Sequence, residues 1–156
     1  MNGVLAIFLL FLLAALLVAA AIGDWRSRTI RNRLTGAIAL GAIPYWLALG
    51  LAPWPDMALQ IAIAALLFGL FALAFAIGAM GGGDVKLIAA LALWLPPRGV
   101  MEMLVAMALA GGALTCLLFI RHRLSGARHR LQVPYGVAIS FAGLWVISEP
   151  FLNQFR

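Results

Sequence analysis

Six apolar runs separated by short polar links limit what this chain can fold into. The runs span residues 4–22, 34–51, 58–77, 85–95, 100–120 and 133–152. A helix that crosses a bilayer needs about 20 apolar residues, and most of these runs are close to that length. With 65% of its residues hydrophobic and 10% charged, the chain is neither a water-soluble domain nor a disordered one. The sequence therefore predicts an all-α, polytopic membrane protein with six transmembrane helices and no soluble domain.

The positions of the basic residues support six spans. If the N-terminus lies outside, the segments 23–33, 78–86 and 121–132 lie inside, and they contain nine of the 11 basic residues. A different number of spans would place the arginine clusters of the first and third segments on opposite faces. Because Lys and Arg collect on the cytoplasmic side of membrane proteins, these segments are predicted to be cytoplasmic. The first run has no basic residue before it, which favours a membrane span over a cleaved signal peptide.

The net charge of +6 and the single cysteine narrow the possible partners. The arginine-rich loops are predicted to orient the chain and to contact anionic lipids, at about 1 kcal/mol per basic residue near the surface, rather than to bind nucleic acid. Cys116 lies in an apolar run and no Cys/His cluster has the spacing of a zinc site, so we expect no metal and no cofactor. Trp25, Trp54 and Trp94 lie near predicted interfaces, where indole rings favour the headgroup layer.

The five acidic residues divide into two groups. Asp56, Glu102 and Glu149 map to the outer boundary, where a carboxylate near the start of a helix suits the helix dipole. Asp24 directly follows the first span, and Asp84 directly precedes the fourth. The fourth helix would be only about 18 Å long, against a hydrocarbon core of about 30 Å, so its acid is predicted to lie deep. Asp24 lies near the boundary, so a tilted helix, a locally thinned membrane or an unwound helix end must bring the two acids together.

An acid within a membrane domain is a functional hypothesis by default, but each of these two also has an ordinary explanation. Asp84 follows glycines and would cap the fourth helix, and Asp24 would pair with Arg26 or Arg28. Taken together, however, two acids from separate spans on one face can meet. Paired carboxylates share a proton because like charges close together cannot both ionise, which leaves one base and one acid. Such a pair is equipped to activate water against a peptide bond.

Three motifs in the chain resemble those of a known family. Residues 81–87 (GGGDVKL) match the GxGD-x-K-L signature of the type IV prepilin peptidases, which are intramembrane aspartyl proteases. Residues 24–34 resemble the family's first motif, an Asp followed by a basic stretch and Ile-Pro-Asn-x-Leu, with Arg31 in place of the proline. Residues 133–138 resemble the proline–aromatic–glycine sequence at the start of the family's last span. The resemblance covers nearly the whole chain.

The resemblance implies a role for each matched residue. Asp24 and Asp84 would be the catalytic pair, one activating water and the other protonating the carbonyl oxygen of the scissile bond. Gly81 and Gly83 would let the backbone approach the second acid and the substrate. Lys86 would tune the local charge or bind lipid headgroups, or it would simply extend its ammonium to the membrane boundary.

The chain resembles the short members of the family, those of tight-adherence (Flp-type) pilus systems, and also the archaeal preflagellin peptidases. Longer members carry paired CxxC motifs and N-methyltransferase activity, so the single cysteine here implies peptidase activity alone. The substrate would be a prepilin or pseudopilin with a class III signal peptide, in which a short basic leader and a small residue precede an apolar helix. Residues 1–156 would form one peptidase domain in the bacterial inner membrane, with the N-terminus outside and the active site facing the cytoplasm.

Two other functions would use the same features. A small proton-coupled transporter would use both acids as a relay, and a non-catalytic membrane component of a pilus or secretion assembly would keep the fold without turnover. Transporters usually show internal repeats with broken helices in both halves, whereas the glycine-interrupted element occurs once here. A non-catalytic homologue would be expected to lose one acid, and both are present.

Overall fold

The computed structural model describes residues 2–125 and 133–153, of which 87% are helical and none forms a strand. Its α-helices are α1 (Asn2–Ser27), α2 (Asn32–Leu49), α3 (Ala58–Ala76, preceded by the π-helical turn Pro53–Met57), α4 (Gly82–Ala92), α5 (Pro97–Ser125) and α6 (Tyr135–Asn153). The predicted all-α fold class is confirmed for this part of the chain. Arg128, Arg130 and Arg156, which belong to the charge pattern of the sequence, lie outside the described residues.

Each of the six apolar runs coincides with one helix, but the helices differ in how well they suit a membrane. By length and composition, Gly3–Ser27, Pro53–Ala76 and Pro97–Leu124 are each able to cross a bilayer. Within the described ranges, Tyr135–Glu149 is a shorter apolar helix. Helix α4 has 11 residues, too few to cross by itself. The chain is therefore a helical membrane protein, and the number of six spans stays a prediction.

Helix α1 continues past the end of the first apolar run and carries Asp24 in its last turns. The apolar run stops at Ile22, whereas the helix ends at Ser27. The backbone then turns at Arg28, whose φ is 54°, and the N–H of Arg28 donates to the carbonyl oxygen of Asp24 at 2.9 Å. Asp24 is therefore held on a regular helix and not on a loop.

Helix α4 is short and is enclosed by other helices. It packs against α2, α3 and α6, and Leu87, Ile88 and Leu91 on it have no exposed surface. A helix that faces lipid must match the hydrocarbon thickness, but a helix covered by its neighbours is held by packing contacts with them and can be shorter. The enclosure thus explains how Asp84, at the start of α4, comes to lie inside the protein.

Helix α6 packs closely against both helices that carry the inner acids. At Gly143, a Cβ atom would lie 2.6 Å from Cδ2 of Leu91 on α4 and 3.0 Å from Cδ1 of Leu17 on α1. Small residues permit this approach of helix backbones in membrane proteins, where dispersion contacts and not the hydrophobic effect drive helix association. The start of α6 is thereby brought beside the end of α1 and the start of α4.

Two indole groups join α2 to the far end of α4. Nε1 of Trp46 donates to the carbonyl oxygen of Leu93 at 2.7 Å, and Nε1 of Trp94 donates to that of Ile38 at 2.8 Å. Trp94 is only 3% exposed, so its ring is covered by protein and does not face headgroups, while its depth in the membrane stays a prediction. A tryptophan at the end of a span looks the same in sequence whether its helix faces lipid or is covered by neighbouring helices.

Candidate active site

The fold brings Asp24 and Asp84 together from different helices. Asp24 lies near the end of α1 and Asp84 in the first turn of α4, and they are 5% and 8% exposed. The two carboxyl groups are close enough to interact electrostatically. Both line an open pocket of about 400 Å³. Two acids that are 60 positions apart in the printed sequence therefore share one site.

Asp84 does not cap α4 in the way the sequence suggests. Gly81 is the N-cap residue, with extended backbone, and Asp84 is the third residue of the helix. Its carboxylate lies back against the N–H of Gly81, as the acidic member of a capping box does. A Cβ atom on Gly81 would lie 2.9 Å from Oδ2 of Asp84. The absence of a side chain at position 81 therefore leaves room for the carboxylate.

Asp24 lies against the start of α6. A Cβ atom on Gly136 would be 2.9 Å from both Cγ and Oδ2 of Asp24, and the N–H groups of Gly136 and Val137 face the carboxylate. Oδ2 itself is buried and has no hydrogen-bond partner among the described residues. Arg28 lines the same pocket, but within the described ranges the ion pair that forms is elsewhere, between exposed side chains. Asp24 thus forms no close ion pair with Arg26 or Arg28 in the described part of the chain, although Arg28 attracts its carboxylate at longer range.

Ile30 joins the two halves of the site, and the sequence analysis did not single it out. A Cβ atom on Gly83 would lie 3.1 Å from Cβ of Ile30, and one on Gly136 would lie 2.7 Å from its Cδ1. Ile30 therefore packs between the first turns of α4 and α6. Ile30 and Gly136 lie in two of the motifs that resemble the family, at residues 24–34 and 133–138, but no spacing rule predicts that the two residues touch.

Lys86 lies on a different side of α4 from Asp84. Its Nζ donates to Oδ1 of Asn32 at 2.8 Å, which ties α4 to the first residue of α2. It borders an apolar groove between α2 and α3 and does not line the pocket of the two acids. This bond gives Lys86 a positional role beside the charge-tuning and headgroup roles that remain predictions.

The side chains that meet in this pocket limit its chemistry. In the part of the chain that the structure describes, no three His, Cys, Asp or Glu side chains gather as a metal site would require. The ionisable groups that face one another are two carboxyls, with the Arg28 guanidinium and the Tyr135 side chain at the rim. Two such carboxyls are suited to share a proton and to pass it to and from a bound substrate.

A comparison with protein families decides what kind of protein carries this site. The model of the type IV leader peptidase family matches residues 9–116, which is more than half of the chain. The chain belongs to the type IV leader peptidase family. No curated protein and no solved structure matches it. Membership in the leader peptidase family indicates a membrane-embedded peptidase that acts on prepilin-type substrates.

The part of the chain that matches the leader peptidases contains every residue that the sequence predicts for the site, namely Asp24, Gly81, Gly83, Asp84 and Lys86. Ile30 also lies within it, whereas Gly136 on α6 lies beyond it. The contact between Asp24 and the start of α6 is thus a finding of the structure of this chain.

Proposed function

We propose that this leader peptidase is an aspartyl endopeptidase in which Asp24 and Asp84 are the catalytic residues. The observation that carries the proposal is the meeting of two buried carboxyls, from the end of α1 and the start of α4, in one open pocket. Because the two carboxyls repel each other when both are ionised, we expect the pair to hold one shared proton near neutral pH.

The shared proton supports both halves of peptide hydrolysis. The ionised carboxylate takes a proton from a water molecule, whose oxygen attacks the carbonyl carbon of the scissile bond. The protonated carboxyl gives its proton to the carbonyl oxygen, which forms a neutral tetrahedral intermediate. When the C–N bond breaks, one carboxyl gives its proton to the leaving amine, and the other carboxylate takes a proton from a hydroxyl of the intermediate as the new carboxyl group forms, so the pair returns to holding one proton. Gly81 and Gly83 keep the backbone near Asp84 free of side chains, and Lys86 holds α4 to α2.

The substrate class is inferred from the family. We propose a prepilin or pseudopilin with a class III signal peptide, cleaved between its short basic leader and its apolar helix. The single cysteine supports peptidase activity without N-methylation. The positive-inside pattern supports a multi-pass protein of the bacterial inner membrane with its N-terminus outside, its active site toward the cytoplasm, and anionic lipids at the arginine-rich loops. Residues 1–156 would form one peptidase domain that uses no cofactor.

The test of this function is the loss of processing when either acid is made neutral. Asp24→Asn and Asp84→Asn are expected to lower the rate of prepilin cleavage at least about 10³-fold, since each removes an acid–base group. Maturation of a co-expressed Flp-type prepilin is followed by the size of the product, and membrane accumulation of each variant is measured in parallel. Glu102→Gln is the matched control. It changes an acid of α5 that lies near the far end of α4, and this variant should cleave normally. Normal maturation by either aspartate variant would refute the aspartyl mechanism.

A further inference from the structure

We propose that Gly136, the second residue of α6, is a positioning residue that holds the Asp24 carboxylate in its catalytic orientation. This inference rests on the proposed function and extends the site to a helix outside the part of the chain that matches the family. Gly136 does not touch the reacting atoms. It acts through Asp24, by allowing the backbone at the start of α6 to lie directly against the carboxylate.

The first argument is steric. A Cβ atom at position 136 would be 2.9 Å from Cγ and from Oδ2 of Asp24, closer than side-chain carbons normally come to other heavy atoms. Asp24 is 5% exposed, and Oδ2 has no hydrogen-bond partner in the described part of the chain. The carboxylate is therefore oriented by the surfaces packed around it, and at this point the surface is the bare backbone of α6.

The second argument is electrostatic. The first N–H groups of a helix have no partner within the helix, and together with the helix dipole they favour a negative charge beside them. The N–H groups of Gly136 and Val137 face Asp24 without closing a hydrogen bond on Oδ2, and the N–H of Val137 donates to the carbonyl oxygen of Pro134 at 3.2 Å. That arrangement leaves Oδ2 available to a water molecule or a substrate atom in the pocket. Any side chain at position 136 would push the carboxylate away from these groups.

The same helix offers a matched control. Gly143 lies two turns further along α6, and a Cβ atom there would press on Leu17 of α1 and Leu91 of α4, at 3.0 Å and 2.6 Å. Gly143→Ala thus crowds α1, as Gly136→Ala does, and also α4, but it does so away from both carboxyls. A purely structural role for Gly136 predicts that the two variants behave alike.

The decisive experiment measures kcat and KM of the full chain in detergent, with a prepilin-type substrate that has a basic leader, a glycine and an apolar helix. For Gly136→Ala we expect kcat to fall about 100-fold, the loss typical of a small misplacement of a catalytic group, with KM unchanged. For Gly143→Ala we expect a lower temperature of unfolding and a kcat per folded molecule close to that of the wild type. Equal loss of kcat in both variants, or wild-type kcat in Gly136→Ala, would overturn the proposal.

A double variant distinguishes the clash with the Asp24 carboxylate from the clash with the neighbouring Ile30. Alanine at position 136 would also meet Cδ1 of Ile30 at 2.7 Å, a contact that Ile30→Val removes. If Gly136→Ala is poorly folded, the double variant relieves that part of the crowding and is assayed in its place. We expect the double variant to fold and to keep the low kcat, because the clash with Asp24 remains. Recovery of kcat would show that the effect came from Ile30 and would refute the proposal.

These outcomes are distinct from those that test the enzyme class. Cleavage by Asp24→Asn at the wild-type rate would refute the aspartyl mechanism. Loss of cleavage in Asp24→Asn together with a normal kcat in Gly136→Ala would leave the mechanism standing and refute only the positioning role.

Discussion

The two ends of α4 show opposite ways of treating polar groups. At its start, which we call the aspartate end, the carboxyls of Asp24 and Asp84 are buried, and one oxygen has no hydrogen-bond partner among the described residues. At its far end, the tryptophan end, the indoles of Trp46 and Trp94 each donate to a backbone carbonyl oxygen. Buried polar groups in folded proteins are nearly always paired, because an unpaired one destabilises the fold. Two other buried side-chain oxygens also have no partner among the described residues, those of Gln60 and Ser140. At the aspartate end, however, the unpaired group is an acid beside a second acid, which marks that end as the place where chemistry outweighs stability.

Cavity size alone would not have separated the two ends. The pocket at the aspartate end holds about 400 Å³, and one of about 350 Å³ lies at the tryptophan end. The acid Glu102 lines the second pocket, but it is paired with Arg98 in an exposed ion pair of 2.9 Å. The two pockets differ in the state of their acids. At the tryptophan end Glu102 is paired with a basic group and partly exposed, whereas at the aspartate end two acids are buried in the same pocket.

The largest expected effect tests whether the aspartate end sacrifices stability for chemistry. Asp84→Asn removes a buried ionisable group that repels the carboxyl of Asp24, so we expect cleavage to be lost while the free energy of unfolding rises by about 1 kcal/mol. Thermal unfolding of the purified protein in detergent, run beside the cleavage assay, measures both. A marked fall in the free energy of unfolding would show that Asp84 stabilises the fold. The contrast between the aspartate end and the tryptophan end would then be wrong.

The reverse result is expected at the tryptophan end. Trp94→Phe removes the indole donor to the carbonyl oxygen of Ile38, and leaving a buried acceptor unpaired costs about 1–3 kcal/mol. The free energy of unfolding should therefore fall by that amount, while cleavage per folded molecule stays at the wild-type rate. If the rate of cleavage fell far more than the fraction of folded protein, the tryptophan end would belong to the active site.

A smaller effect is expected at Lys86, which lies one turn from the aspartate end. Lys86→Met removes the bond of 2.8 Å to Asn32 but keeps the length of the side chain. Since the lysine is exposed, we expect a loss of stability below about 1 kcal/mol and cleavage that remains within a few-fold of wild type. A loss as large as that of the aspartate variants would place the ammonium in the chemistry and not beside it.

The sequence predicts the helices of this protein well because each apolar run is a local signal. It also predicts that Asp24 and Asp84 are unusual, since few acids occur in the chain and only these two fall on the inner side. It could not predict that Trp94 is buried, because burial depends on which neighbours cover α4. The contact of Gly136 with Asp24 joins two segments more than 100 positions apart in the sequence. Such contacts arise only when α6 packs against both α1 and α4.

The smallest expected effect concerns the ion pair at the tryptophan end. The Arg98 side chain is 90% exposed and its partner Glu102 is 35% exposed, so water screens their attraction and the pair adds little to stability. Arg98→Ala should leave both the temperature of unfolding and the rate of cleavage unchanged within error. The acids near the two ends of α4 would then be ranked by burial and by a basic partner, with the exposed acid that has one dispensable and the two buried acids that have none essential. A clear loss of cleavage in Arg98→Ala would show instead that the pocket at the tryptophan end also serves the reaction.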